Sequence, residues 1–429
     1  MNALRSIHNV GRVSKIGAGV VNVLGLSTEA AIGDGVRIGP EAVLGEVVGI
    51  GPDEITVLTE AGGTGFKKGT EVLLEGPFTI APSSEWIGRV IDPLCRPLDN
   101  KPLFPGPTSR FTNASPPPPG QRRRLGERLS TGTTIFDTLL PIVRGQRIGL
   151  FAGSGVGKST LLGTFAQRVK ADVVVIALVG ERGRELREFV ETTLGEEGLS
   201  RSIVVAATSD QSALVRKRCL LSATTIAEHF RDQGLEVLFL VDSVTRFAEA
   251  HREVALAAGE APSLKGYPPS VQAALMAIAE RAGPGCEDTG SITAIYSVLV
   301  PGSDMEEPVA DILRGVLDGH VVLDRKIAER GRFPAVDILR SISRSLPWAA
   351  TAEQNQAISA ARNIIATWES SEMMIQAGLY HSGSDPAIDR AVVHWPAIER
   401  FLSSPTHNDG IEGSFRRLYD VLKDRQPLR

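Results

Sequence analysis

In this 429-residue chain the most informative segment reads Gly153-Ser154-Gly155-Val156-Gly157-Lys158-Ser159-Thr160. The stretch directly follows an apolar run, Ile148–Phe151, and it opens a segment with helical character, Thr160–Val169. Glycines let backbone N–H groups close around phosphate oxygens, and the first turn of the following helix adds a favourable partial positive charge. The stretch therefore predicts a P-loop, in the strand–loop–helix context that such a loop requires.

The side chains of the predicted loop suit a nucleotide bound together with Mg²⁺. Lys158 is expected to reach the β- and γ-phosphates of ATP, and the Ser159 hydroxyl is expected to bind Mg²⁺. The expected nucleotide-binding residues of the loop are Gly153, Ser154, Gly155, Val156, Gly157, Lys158, Ser159 and Thr160. The general pattern has glycine where this chain has Ala152, but the three glycines of the loop still supply the tight turn.

Two further apolar runs end in carboxylates that fit the same chemistry. The run Leu235–Val241 is followed by Asp242, the place where a P-loop enzyme puts the carboxylate that holds the water shell of Mg²⁺. The run Val173–Val179 leads into Glu181, and the carboxyl end of such a strand faces the ligand crevice of an open α/β sheet. Glu181 is therefore a candidate for polarising the attacking water. Spacing alone leaves open a second interpretation, an exposed helix N-terminus with solvated charges.

The surrounding sequence predicts a mostly parallel sheet covered by helices, because short apolar runs alternate with helical stretches from about residue 145 onward. The predicted strands are Arg147–Phe151, Val173–Leu178, Ile203–Ala207, Val237–Val241 and Ser291–Val300. The first eighty residues consist instead of short strands without a long helical period, which is typical of a small β-barrel. From about Leu346 the pattern is helical, over Ala350–Ile375 and Asp385–Leu402.

The expected fold class is thus α/β. A P-loop RecA-like nucleotide domain (83–345) would stand between an N-terminal small β-barrel (1–82) and a C-terminal helical domain (346–429).

A proline-rich linker near 115–124 carries Pro116–Pro119 and then Arg122–Arg124, an arginine run predicted to be a solvated surface rather than a phosphate patch. His320 is predicted to cap the helix Pro308–Asp318, and Met373-Met374 is predicted to lie in the core.

Composition narrows the class of protein. Lys and Arg number 46 against 50 Asp and Glu, so the formal charge of −4 gives no global attraction to nucleic acid or anionic membrane. The longest apolar runs fall far short of the about 18 residues that a membrane-spanning helix needs. Three widely spaced cysteines fit neither a zinc site nor a disulfide framework, and a reducing, cytosolic setting is the plain interpretation.

Long motifs on both sides of the P-loop resemble the rotary-type ATPases, which include the ATP synthase α and β subunits and the export ATPases of flagella and type III secretion systems. The resemblance covers nearly the whole chain. Its motifs are Ile87-Gly88-Arg89-Val90-Ile91-Asp92-Pro93-Leu94, Arg96-Pro97-Leu98-Asp99, Thr131-Gly132, Leu140-Pro141-Ile142 and Gly145-Gln146-Arg147. Two motifs are particularly similar to the export branch: Lys265-Gly266-Tyr267-Pro268-Pro269-Ser270, and Phe151–Lys158, which accounts for Ala152.

The resemblance implies roles for matched positions. Glu181 matches the carboxylate that positions and activates water, and Asp242 matches the Mg²⁺-water ligand. Arg182 and Arg246 resemble arginines near the phosphates. Phe333, in Phe-Pro-Ala-Val-Asp, matches an aromatic residue that packs on adenine, with a core or turn aromatic as the alternative.

Arg344, in Ser341-Ile342-Ser343-Arg344, resembles the arginine finger that a neighbouring subunit supplies. Such a finger stabilises charge on the transferred phosphoryl group and is worth on the order of 10³–10⁵ in rate. In ATP synthase the main catalytic sites take the glutamate from β and the finger from α. A chain with both Glu181 and Arg344 can complete its own sites, so the expected assembly is a homohexamer that is active only when assembled.

The resemblance also implies partners and a location. The implied partners are a stator-like regulator, a coiled-coil stalk protein, an export gate at the membrane, and export substrates with their chaperones. The implied location is the cytoplasm, peripheral at the cytoplasmic face of the inner membrane. The barrel pattern starts near residue 9 or 10, so Met1–His8 leaves little room for the N-terminal helical extension that binds the regulator. A flagellar system is favoured over an injection apparatus on overall resemblance.

Two alternatives stay open. A subunit of a proton-coupled rotary synthase is disfavoured for two reasons. This one chain carries both Glu181 and Arg344, and it lacks the acidic Asp-Glu-Leu-Ser-Glu-Glu-Asp run of the β subunit. An RNA-dependent hexameric translocase would need basic tracks with aromatic stacking platforms, whereas only 5% of residues are aromatic and the barrel has no aromatic-plus-basic cluster. No nucleic-acid partner is therefore expected.

Overall fold

The computed structural model describes residues 9–17, 19–61, 65–300, 305–404 and 408–423. Along the chain it contains a closed β-barrel, a nucleotide-binding domain built on a mostly parallel sheet, and a bundle of helices. The predicted fold class is confirmed. The segment Met1–His8, on which the expectation about the stator-like regulator depends, lies outside the described residues.

The barrel is a closed ring of antiparallel strands. They are β1 (Val10–Ile16), β2 (Val20–Leu24), β3 (Asp34–Ile38), β4 (Val43–Ile50), β5 (Glu54–Thr59) and β6 (Glu71–Pro77). The order around the ring is β1-β2-β5-β4-β3-β6, and closure leaves no strand edge free to pair with another chain. Residues alternate strictly between exposed and buried along β6, and valines, isoleucines and leucines fill the interior of the barrel. Gly45 is required where strands approach closely, because a Cβ there would lie 2.5 Å from Val57 Cγ1.

The nucleotide domain is built on a nine-stranded sheet. Its strands are β8 (Arg89–Ile91), β10 (Arg147–Ala152), β11 (Val173–Glu181), β12 (Ser202–Thr208), β13 (Glu236–Asp242), β14 (Gly283–Pro284), β15 (Ser291–Leu299), β16 (Gly319–Leu323) and β17 (Val336–Ser343). The order is β17-β16-β10-β15-β13-β11-β12-β8, with β14 paired to β15, and only the β14 and β17 pairings are antiparallel. A separate two-stranded sheet joins β7 (Thr79–Ile80) to β9 (Arg110–Phe111). The central strands are predominantly apolar because helices cover both faces.

Helices cover the two faces of the sheet. They are α1 (Thr134–Asp137), α2 (Lys158–Arg168), α3 (Gly183–Glu188), α4 (Gly195–Ser200), α5 (Ala213–Asp232), α6 (Val244–Ala257), α7 (Pro269–Arg281), α8 (Pro308–Val316) and α9 (Arg325–Glu329). A π-helical turn, Phe189–Leu194, joins α3 to α4, and 3₁₀ turns cover Ser84–Trp86, Pro119–Gln121 and Leu264–Gly266. Helix α2 packs on one face, whereas α5 to α8 pack on the other.

The C-terminal bundle contains α10 (Ala352–Gln376), α11 (Pro386–Leu402) and α12 (Gly410–Leu422). Helix α10 starts at a capping box, in which Thr351 and Gln354 satisfy each other's backbone N–H groups. Helix α12 was not predicted, and its Phe415 packs into the same core as the nucleotide domain. Among the helices of the described residues, none is both long and apolar enough to span a bilayer.

The prediction of a solvated arginine run is wrong for Arg122. Its side chain is only 14% exposed, and it donates to the Pro117 and Glu280 carbonyl oxygens and pairs with the Glu280 carboxylate at 3.4 Å. Arg123 likewise donates to the Thr289 carbonyl. The proline run before them has no backbone N–H groups to donate, so arginine side chains fasten this segment to the nucleotide domain. Arg124 is exposed, as predicted.

Two other expectations are also wrong. Helix α8 ends at Val316, and His320 lies in β16 with Nε2 3.0 Å from the Arg340 carbonyl oxygen, so it caps no helix. Met373 and Met374 are 84% and 38% exposed. Every residue of α10 after Ser371 is at least partly exposed, because this end of the helix projects beyond the core.

A buried ion cluster joins the barrel to the nucleotide domain. Glu46 of β4 pairs with Lys217 at 3.0 Å and with Arg218 at 2.9 Å, both on α5. The Arg218 guanidinium also lies 4.1 Å from the centre of the Phe78 ring. Burial raises the pKa of Glu46, but the two cations outweigh it and hold the pKa below its ordinary value. The Glu46 carboxylate is therefore ionised and fastens the barrel to α5.

Candidate nucleotide-binding site

The predicted P-loop forms the turn between β10 and α2. Gly155 and Gly157 have φ angles of +77° and +87°, a left-handed conformation that residues with a side chain rarely adopt. The loop borders a cavity of about 770 Å³ at the carboxyl ends of the strands. The lining residues include Gly153, Ser154, Gly155, Gly157, Lys158, Ser159, Thr160, Gly180, Glu181, Arg182, Glu185, Ser209, Arg216, Arg246, Glu249 and Leu299. Val156 belongs to the same loop, but its side chain is buried and is not among the residues that line the cavity.

Lys158 and Asp242 form a buried ion pair at the floor of the site, with side-chain exposures of 11% and 4%. Asp242 ends β13, and its Oδ1 also accepts a hydrogen bond from Ser297 at 2.9 Å. Sequence reasoning missed Ser297, which does not stand out in the sequence because β15 also carries the hydroxyl groups of Ser291, Thr293 and Tyr296. The pair neutralises both charges, and a bound polyphosphate would draw the Lys158 ammonium toward its oxygens.

Glu181 ends β11, three residues beyond Leu178, which is the register partner of Asp242 on β13. Burial raises the pKa of Glu181 to about 7, helped by the negative charge of Asp242 and by a hydrogen bond with Glu185, while Lys158 works in the opposite direction. A carboxyl group with such a pKa exchanges a proton near neutral pH, which suits a general base. Glu185, one turn along on α3, is a second missed residue.

The two predicted arginines occupy different environments. Arg182 is 81% exposed at the mouth of the cavity and pairs with Glu185 at 3.5 Å. The aliphatic part of Arg246 lies against Gly180, where a Cβ would sit 3.2 Å from Arg246 Cβ. Its guanidinium pairs with Glu249 at 2.8 Å, and this hydrogen bond raises the pKa of Arg246. Arg246 therefore borders the site on the side of Glu181.

Phe333 lies at the edge of the site, whereas Arg344 lies outside the cavity. Phe333 is 52% exposed and lies beside the P-loop, since a Cβ on Gly157 would be 3.4 Å from Phe333 Cδ1. Its ring is thus available to a ligand at the edge of the site. Arg344 follows β17, the outermost strand at its end of the sheet, and is not among the residues that line the cavity. Its guanidinium donates to the Arg314 carbonyl at 3.2 Å and is exposed.

The oxygen groups of the site fit Mg²⁺. Among the residues that the structure describes, no cluster of three or more His, Cys, Asp or Glu could hold a metal ion by itself. Ser159 and Asp242 would instead hold Mg²⁺ together with phosphate oxygens and water, which is the mode this ion prefers. Both residues also line a smaller adjoining cavity of about 270 Å³.

Two family models match the chain. The nucleotide-binding domain of the ATP synthase alpha/beta family matches residues 132–343, and the T3SS EscN ATPase C-terminal domain matches residues 350–419.

Individual proteins match over most of their length. The flagellum-specific ATP synthase of Caulobacter vibrioides is 43% identical over 96% of this chain and 96% of its own length. The type 3 secretion system ATPase of Xanthomonas euvesicatoria is 43% identical over 84% of this chain and 81% of its own length. The assembled ATPase EscN of the enteropathogenic E. coli type III secretion system superimposes with a TM-score of 0.88 at 39% identity, covering 96% of this chain and 99% of that one. A second structure shows EscN in complex with its central stalk EscO, also with a TM-score of 0.88.

Proposed function

Because the chain belongs to the ATP synthase alpha/beta family, in the branch of the flagellum-specific and type III secretion ATPases, we propose that it hydrolyses ATP in a homohexameric ring that energises protein export. Membership of this family makes the chain an ATP-hydrolysing enzyme. The observation that carries the proposed chemistry is the Glu181 carboxyl group, which lies beside the Lys158–Asp242 pair with a pKa of about 7.

The proposed mechanism assigns a task to each side of the cavity. The P-loop backbone, from Gly153 to Thr160, binds the phosphates, and Lys158 exchanges Asp242 for the terminal phosphate oxygens. Glu181 accepts the proton of the attacking water, and Arg182 and Arg246 stabilise the charge that develops on the phosphoryl group. Bound Mg²⁺, held by Ser159 and through water by Asp242, would neutralise phosphate charge. Phe333 packs against the adenine ring.

The ring is proposed because Arg344 lies outside the cavity of its own subunit. An exposed arginine directly after β17, the strand at one edge of the sheet, is placed to enter the cavity of a neighbour, where it would act as a finger. The relative EscN is known in assembled form and with a central stalk, EscO. For this chain we propose a coiled-coil stalk and a stator-like regulator as partners, together with an export gate, substrates and chaperones.

The proposed location is the cytoplasm, peripheral at the cytoplasmic face of the inner membrane through the export apparatus. A flagellar system is proposed over an injection apparatus, since flagellar proteins are prominent among the relatives. No nucleic-acid partner is proposed for a chain of charge −4.

The ring hypothesis predicts that ATPase activity depends on protein concentration. Specific activity should rise steeply across the range in which light scattering reports a change from monomer to hexamer, because Glu181 and Arg344 meet only between subunits. A preparation shown to be monomeric that hydrolyses ATP at the full rate would contradict the ring. Assembled rings without activity would favour a synthase-type subunit with a missing partner, and stimulation by RNA would favour a translocase.

The pH dependence of ATP hydrolysis should report Glu181. A protonated carboxyl group cannot accept a proton, so kcat/KM should decline as the pH falls through about 7. Glu185 raises the pKa of Glu181, so Glu185→Gln should shift this decline to lower pH. Glu191→Gln, which removes an exposed carboxylate paired with Arg187, serves as the control and should leave the profile unchanged. An unshifted profile in the Glu185 variant would remove Glu181 as the titrating group.

A further inference from the structure

One face of α6 presents charged side chains to the cavity. Arg246, Glu249 and Glu253 are spaced by three and four residues, so they lie on the same side of the helix. Glu249 pairs with Arg246 at 2.8 Å, and Glu253 pairs with Arg216 of α5, also at 2.8 Å. Arg246, Arg216 and Glu249 all line the cavity. Two arginines therefore border the proposed phosphate site, and each has a carboxylate partner from the same helix.

The two arginines are not held equally. Arg216 also donates from Nε to the Gln211 carbonyl at 3.1 Å, and only 14% of its side chain is exposed, so it is anchored at two points. The guanidinium of Arg246 donates to Glu249 alone within the described ranges, and 42% of its side chain is exposed. Its aliphatic part rests on Gly180, directly before Glu181. Of these two arginines, only Arg246 is free to turn from its carboxylate partner to a ligand.

A guanidinium uses the same fork of N–H donors for a carboxylate and for a phosphate. Arg246 therefore cannot serve Glu249 and a terminal phosphate fully at the same time. We propose that Glu249 is a positioning residue whose ion pair with Arg246 must be displaced by the terminal phosphate, so that Glu249 lowers the affinity of the site for inorganic phosphate. The proposal rests on the proposed function, because it takes the cavity as the phosphate site.

The consequence for turnover concerns the released product. After hydrolysis, inorganic phosphate competes with Glu249 for Arg246, and recapture of the guanidinium by Glu249 favours departure of the phosphate. ADP, which lacks the terminal phosphate and is held by the P-loop backbone, should be affected much less. Glu249 thus lowers the affinity of the site for inorganic phosphate and has much less effect on its affinity for ADP.

Glu249→Gln, which removes the charge and keeps the shape, should tighten phosphate binding. In the full-length protein with Mg²⁺, the inhibition constant of inorganic phosphate against ATP hydrolysis should fall about threefold to tenfold, the size expected for a partly exposed ion pair next to an anion. The inhibition constant of ADP should change less than about twofold on the same grounds. Phosphate should also raise the unfolding temperature more in the variant than in the wild type, a readout that needs no turnover.

The control and a double variant decide the assignment. Glu71→Gln removes an exposed carboxylate paired with Arg12 at 2.8 Å on the barrel, and it should leave both constants unchanged. In the Arg246→Ala background, Glu249→Gln should no longer increase the rise in unfolding temperature that phosphate causes, since Glu249 acts through Arg246. Glu249→Met should reproduce the effect if the glutamine variant folds poorly.

Two results would overturn the proposal. One is an unchanged phosphate constant in both Glu249 variants, and the other is an equal gain with and without Arg246, which would indicate simple charge repulsion. In both cases the wild type would still hydrolyse ATP, so the proposed function would stand. A wild-type protein that neither hydrolyses ATP nor is stabilised by ADP or phosphate would overturn the function and this proposal together.

Discussion

Replacing Lys158 with alanine should abolish ATP turnover, with a loss of at least about 10³-fold expected from removing a largely buried phosphate-binding cation. Lys158 is the P-loop cation, and its side chain is only 11% exposed. The substitution also leaves Asp242 buried without its counter-charge, which repels an incoming polyphosphate. Affinity for ATP should therefore fall together with the rate, and both should be measured, by calorimetry and by phosphate release.

The control for this substitution is Lys170→Ala, which removes an exposed lysine just after α2 and should leave binding and turnover unchanged. Because an unpaired Asp242 also destabilises the fold, the unfolding temperature of the Lys158 variant should be compared with that of Lys158→Met, which has similar length without charge. ATP hydrolysis at the wild-type rate by either variant would show that the P-loop of this chain is not the catalytic phosphate site.

Mixing two inactive variants should restore activity. Glu181→Gln lacks the proposed base and Arg344→Ala lacks the proposed finger, whose removal is expected to cost on the order of 10³–10⁵ in rate. In a randomly mixed ring of head-to-tail contacts, about one interface in four joins an intact Glu181 to an intact Arg344. Steady-state hydrolysis should therefore return to a substantial fraction of the wild-type rate, and it should rise with concentration.

A tagged subunit of one variant should recover the untagged subunit of the other, which verifies that mixed rings form. Mixing Glu181→Gln with Lys158→Ala is the matched control, since both defects lie in the same subunit's half of the site and no interface is repaired. Mixed rings that stay inactive would mean that the finger is another residue, or that a ring with few intact sites cannot cycle. Subunits with Glu181→Gln and Arg344→Ala on one chain, mixed with wild type, separate these outcomes.

The nucleotide domain was largely predictable because its signals are local. A P-loop needs glycines at set positions, and parallel strands need continuous apolar runs, so Gly157 and the strand before Asp242 stand out in the sequence. The barrel was predictable from short strands and turn residues. Helix α12 was not, because its apolar residues make sense only against the core that α10, α11 and the nucleotide domain form together.

The polar surroundings of the site were the least predictable part. Ser297 and Glu249 gain their significance from neighbours far along the chain or one turn of helix away, and neither belongs to a motif. Arg122 was misjudged for a related reason: three arginines after prolines look solvated until the carbonyl oxygens of Pro117 and Glu280 are known to face them. Local patterns identify strands and loops, whereas partners across the fold decide the surroundings of each charge.

The Glu46 contacts with Lys217 and Arg218 also have a mechanical meaning. These cations lie on α5, which packs directly against β11 and β12, and β11 ends at Glu181. The barrel, its ion cluster, α5 and β11 thus form one continuous chain of packed groups. The barrel is therefore fixed to the nucleotide domain by direct contacts and is not joined to it through the chain alone. A protein that binds the barrel and displaces it would push on α5, and through α5 on the strand that carries the proposed base.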